Sequence, residues 1–154
     1  MTTSHLSLVE IVGVPPIRAE LVASCVELVN SEVAAKKGMG GIAIKGAYGA
    51  VKRIKPTFVP EVIDTLLDDW LTKMEPYHVE WRAGGEGRFE SFVEARSGDV
   101  AEDLLSVTDE RAEESKHKTA RKLYFKLRGS AKANVAGAVG KLGALIERHL
   151  ADSV

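Results

Sequence analysis

A chain of 154 residues, 45% hydrophobic and 28% charged, is long enough for one buried core and too apolar to be disordered. No run approaches the ~20 apolar residues of a membrane-spanning helix, and Met1-Thr2-Thr3-Ser4-His5 has neither the basic nor the apolar region of a signal peptide. A lone cysteine, Cys25, excludes an internal disulfide, and a net charge of −1 argues against a basic nucleic-acid surface, so a cytoplasmic protein without a membrane partner is expected.

Gly13 and Pro15-Pro16 punctuate the start, and Pro16 suits a first helical turn, where its missing N–H costs nothing. Leu21, Cys25, Leu28, Val29 and Val33 follow at steps of 3 and 4, and Gly38 marks a helix stop. A second helix is expected from the Gly38–Gly41 cluster to Ile54, with Ile44, Ala47, Tyr48, Val51 and Ile54 on one face. Ala43, Gly46, Gly49 and Ala50 would let another helix approach closely. Pro60 opens a third helix carrying Ile63, Leu66, Leu67, Trp70 and Leu71, and Pro76 is expected to end it.

Residues 77–92 are ambiguous. Tyr77, Val79 and Trp81 alternate as a strand would, and Gly84-Gly85 could turn a hairpin. An isolated hairpin is marginal, however, so a short helix or irregular segment, a loop and a helix over 87–96 are favoured. Asp99 with Glu102 resembles a capping box for the next helix. Thr108 is expected to cap a further helix ending at Gly129, and Ser130 to cap the last. That last helix holds Val135, Val139, Leu142, Ile146 and Leu150 on one stripe, beside Gly137, Gly140 and Gly143, spaced for tight packing. The fold class is therefore all-α: a single compact bundle of six or seven helices over residues 1–154, with a short hairpin near 77–92 as the alternative.

Charge is segregated. Residues 1–55 carry seven Lys/Arg against four Asp/Glu, residues 56–115 five against sixteen, and residues 116–154 nine against two. Exposed single-sign blocks repel themselves, so the acidic middle is expected to pair with the basic ends within one chain.

Two Glu-x-x-His pairs, Glu75/His78 and Glu114/His117, match the spacing by which a helical turn offers a carboxylate and an imidazole to a metal, as in di-iron bundles. Pro76 interrupts the first, the second sits in a charged solvated run, and no metal or cofactor is expected. The glycine-rich stretch Gly38-Met39-Gly40-Gly41 follows a helix rather than a strand, unlike a dinucleotide fingerprint. Cys25 lies on an apolar stripe, the serines lack a nucleophile-elbow context, and His5, His78, His117 and His149 are scattered.

Three stretches resemble a family of small helical proteins encoded in actinobacterial genomes: Gly41–Pro56, Leu104–Glu113, and Leu127–Lys132 continuing into Leu142–His149. That family carries no established activity, so the resemblance implies a self-standing bacterial domain and nothing catalytic. Lacking a nucleophile or metal constellation, the chain reads first as a non-catalytic binding or protein-interaction domain, with self-association or a protein partner. The alternative is a small-ligand-binding protein taking an anionic or amphipathic molecule between helices. Its candidate contacts are Lys45, Tyr48, Lys52 and Lys55, a lysine row beside an apolar stripe, with Tyr77 and Trp81 from the turn-rich aromatic segment. A metal-dependent helical-bundle enzyme using Glu114 and His117 ranks third.

Overall fold

Apolar residues recur at helical spacing almost throughout, and helices claim almost all of the backbone. The computed structural model describes residues 7–12, 14–84 and 87–152, with side chains up to His149. His5, Gly13, Gly85 and the Leu150 side chain, invoked above, lie outside them. The described residues form seven helices and no strand. They are α1 (Leu8–Val12), α2 (Pro15–Ala35), α3 (Gly38–Ile54), α4 (Phe58–Gly84), α5 (Phe89–Glu94), α6 (Ser97–Glu114) and α7 (Lys118–Asp152).

The long α7 is the spine, packed against α6, α5 and α2, while α4 lies against α2, α6 and α1. At one end Leu8 and Val12 of α1, Met74 of α4, Phe89 and Val93 of α5, and Ile146 of α7 are almost wholly buried in one core. The Leu8 N–H donates to the Glu75 carboxylate, which fastens α1 to α4. Pro15 and Pro16 occupy the first positions of α2, as their fixed φ favours.

The charge blocks meet at a few ion pairs within the chain. Arg18 of α2 bridges Asp64 and Asp68 of α4 at 2.9 and 2.6 Å, and Arg128 of α7 reaches Asp109 and Glu102 of α6 at 2.8 and 3.3 Å. Arg18, Lys55 and Arg128 thus tie the basic ends to the acidic middle, while most of the other lysines and arginines of those ends make no ion pair with it among the described residues.

Several boundaries differ from expectation. Helix α4 runs straight through Pro76 to Gly84. Proline there removes one backbone bond at a cost of roughly 3 kcal/mol, but Leu71, Met74 and His78 around it are buried, and that burial carries the helix on. No hairpin forms among the described residues: Tyr77 and Trp81 are one turn apart on α4, and α5 follows. Thr108 lies inside α6 with its hydroxyl on the Leu104 carbonyl at 3.3 Å, and Ser130 inside α7 with its hydroxyl on that of Leu127 at 3.1 Å. Both hydroxyls are satisfied by the preceding turn, so neither residue needs to act as a cap. Asp99 sits in the first turn of α6, whose N-cap is Arg96, rather than capping it. The true break falls at Ser115–His117, where the Ser115 hydroxyl accepts from the His117 N–H at 3.1 Å.

The close approaches also move. A Cβ at Gly46 or Gly49 would meet nothing within 4 Å, so α3 gains no neighbour there. Gly41 does meet one: its Cβ would lie 2.7 Å from the Lys36 carbonyl carbon, where α3 turns back on the end of α2. On α7, Gly140 faces Glu94, and a Cβ at Gly143 would lie 2.7 Å from Val93 and 3.1 Å from the Glu90 Cα; this glycine row seats α5.

Candidate functional site

The middle of the bundle is less filled than its end. Helix α7 presents Ala131, Asn134 and Ala138 there, short side chains facing Leu28 and Val29 of α2 and Leu105 of α6. The result is a cavity of about 480 Å³, closed by Leu67 and Trp70 of α4 and open to solvent along one side. This lies within the ~300–1,000 Å³ typical of small-molecule sites. Leu28, Val29, Leu127 and Leu142 are only half-buried, because this space lies beside them. Trp70 is held in the wall by its indole N–H, which donates to the Leu104 carbonyl at 3.2 Å.

The wall is overwhelmingly apolar. Among its few polar groups, Glu32 is neutralised by Lys141 of α7 at 2.6 Å, and the Thr108 hydroxyl is on Leu104. Tyr124 donates its hydroxyl to Asp109 at 2.5 Å. Burial, then this bond to a carboxylate, raises the Tyr124 phenol well above its usual range, while Arg128 holds the Asp109 carboxyl below its own. Lys36 and Asn134 offer polar side chains with no hydrogen bond to another described residue. Cys25 also faces the cavity, and burial pushes its thiol up to about 11, the condition of an inert side chain rather than a nucleophile.

A second cavity of about 370 Å³ lies between the end of α3, the start of α4, the end of α6 and the start of α7. Val51, Phe58, Val62 and Leu66 form its floor, and Lys55, Glu61, Arg111, His117 and Arg121 its rim. Lys55 and Glu61 neutralise each other at 3.0 Å, and Arg111 sits 3.7 Å from Asp69. Arg121 makes no ion pair among the described residues, so the rim stays cationic. Thr108 and Tyr124 belong to both cavities and stand between them.

Of the six residues singled out from sequence, Lys55 alone lines either of these two cavities, the second. Lys45 is exposed on α3, and Lys52 lies over the Tyr48 ring at 5.0 Å while the Tyr48 hydroxyl donates to Asn30. Tyr77 donates to Asp103 and Trp81 to the Gly87 carbonyl. Near Trp81, the rings of His78 and Phe89 pack at centroid distances of 5.2 to 5.6 Å, His78 edge-on to Phe89, so the aromatic segment is packed on itself. The residues that sequence reasoning missed are the α7 alanines and Arg121; only the run of small residues in α7 hinted at space there.

No group of three or more His, Cys, Asp or Glu among the described residues is placed to hold a metal. Glu75 is engaged by Leu8 and lies 3.7 Å from Arg82, and the helix break separates Glu114 from His117, which packs edge-on against Phe58 at 4.9 Å. No helix is long and apolar enough, within the described residues, to cross a membrane.

Fold and site together define an all-α bundle with an apolar cavity open along one side, beside a second cavity with Arg121 on its rim. The chain belongs to the family of unknown function DUF6918, whose model matches residues 8–150. No curated protein and no solved structure matches it.

Proposed function

We propose that this protein is a non-catalytic binding protein for an elongated amphipathic molecule. Its apolar chain would occupy the larger cavity, and its polar or anionic end would lie toward Thr108, Tyr124 and the rim formed by Lys55, Arg111 and Arg121. The observation that supports this reading is the cavity of about 480 Å³ with almost purely apolar walls. Apolar surface left beside water is unfavourable by roughly 25 cal/mol per Å², which an acyl or isoprenoid chain would recover. The second cavity adds the cation that an anionic head requires and shares two residues with the first. We place the protein in the cytoplasm of a bacterial cell, an actinobacterial one on the resemblance noted above.

Trp70 lines the cavity and Trp81 does not, which provides a reporter. In a Trp81→Phe variant, a fatty acid brominated along its chain should quench the remaining tryptophan saturably. Straight-chain acids and alcohols should compete, and the acids should lose affinity in Arg121→Glu. If no amphiphile binds more tightly than about 100 μM, on the order of −5.5 kcal/mol, the proposal fails.

A further inference from the structure

We infer that the outer face of α3 docks on an anionic lipid surface. Helix α3 turns Ile44, Tyr48 and Val51 inward, and at steps of 3 and 4 the opposite face carries Met39, Ile42, Ala43 and Gly46, all exposed. Met39 is 88% and Ile42 73% exposed, the two most exposed large apolar side chains described. Among the described residues none covers this face: a Cβ built at Gly46 or Gly49 would meet open space.

Charge selects the occupant. Residues 36–55 carry five lysines and one arginine and no carboxylate at all. Lys45 and Arg53 are exposed beside the apolar row, where long side chains can lay their stems on it and keep their charges at headgroup level. Of the six cations, only Lys55 has an ion-pair partner among the described residues, Glu61. A second copy is a poor occupant, because a symmetric contact would set one cationic segment against an identical one. An anionic bilayer answers both halves of the surface, with headgroups for the cations and the acyl boundary for Met39 and Ile42. Composition excludes a spanning helix, and docking by one helix face needs none. The inference stands apart from the cavity reading, since neither Met39 nor Ile42 lines either of the two cavities described, although Lys36 and Ile44 of the same segment line the larger one.

The test is co-sedimentation of the full chain with vesicles of phosphatidylglycerol in phosphatidylcholine, against phosphatidylcholine alone. Binding is expected to the anionic vesicles only at about 0.1 M salt, and to fall steeply near 1 M, where the Debye length drops to ~3 Å. The double variant Met39→Glu/Ile42→Glu should lower partitioning at least tenfold, about 1.4 kcal/mol, and Lys45→Glu/Arg53→Glu should do likewise. All four residues are exposed, so circular dichroism and the melting midpoint should stay unchanged and show that each variant is folded. Equal binding to both vesicle types, or none to either, overturns the inference. So does a Met39→Glu/Ile42→Glu variant that binds as the parent does. A dimer in sedimentation velocity that this variant splits, without vesicle binding, would assign the face to a second copy instead.

Discussion

Ala138→Leu probes the cavity directly. Ala138 is half-buried in the middle of α7 and lines the larger cavity. A closed, empty cavity of 480 Å³ would forfeit about 11 kcal/mol at ~24 cal/mol per Å³, as much as the ~5–15 kcal/mol that holds a whole domain together. The opening to solvent reduces that deficit, but every carbon placed against the wall should still recover part of it. Leucine adds three carbons, each worth ~0.8 kcal/mol when buried, or about 2.4 kcal/mol in all. For a domain of this size that raises the melting midpoint by roughly 5–10 °C. Urea unfolding and thermal melts read the gain, and quenching of Trp70 by a brominated fatty acid reads the matching loss of binding, expected to be about tenfold or more. If leucine instead destabilises by about 1–3 kcal/mol, the signature of an overpacked core, and ligand titration is unchanged, the walls meet in solution and the cavity argument fails.

Other consequences are as specific. Gly143→Ala should destabilise by about 1–3 kcal/mol, because its Cβ would lie 2.7 Å from Val93 and 3.1 Å from the α5 backbone. Gly137→Ala, which meets nothing within 4 Å, should stabilise by up to about 1 kcal/mol; denaturant curves for the pair separate packing from propensity. With the Cys25 thiol at about 11 rather than 9.0, alkylation at pH 8 should run about a hundredfold slower than in the urea-unfolded chain. The native rate should climb steadily with pH beyond 9, and bound amphiphile should slow it further. The Asp109 carboxyl, depressed by Arg128, contributes stability that is present above its unfolded pKa and lost as pH falls through the lower folded one. Asp109→Asn should therefore flatten the acid limb of the stability–pH curve below about pH 4, and an unchanged limb would refute that role.

The inward faces of most helices were legible because burial imposes a period. Leu21 and Cys25, Ile63, Leu66 and Leu67, and Val139 and Ile146 are buried where spacing put them. Boundaries were less legible, because the cues for them are local and tertiary burial can override them. Pro76 and Gly129 read as stops and Thr108 as a start, and all three lie inside helices, while the real break at Ser115–His117 has no glycine or proline to mark it. The cavity was illegible for a deeper reason. Periodicity tells which side of a helix turns away from water, but two inward stripes can meet or stand apart with the same pattern. What decides is volume summed across helices distant in sequence: Leu28 and Val29, Leu105, and the alanines of α7. No window along the chain contains that sum. The outer face of α3 shows the converse. Its period correctly turned Ile44, Tyr48 and Val51 inward, and Met39 and Ile42, left on the far side, looked like scatter until nothing in the fold was found to cover them. A residue that breaks the amphipathic rule is therefore informative only once the fold shows that its neighbours are missing, and Met39 and Ile42 sit in a segment, residues 36–55, whose charges all have one sign.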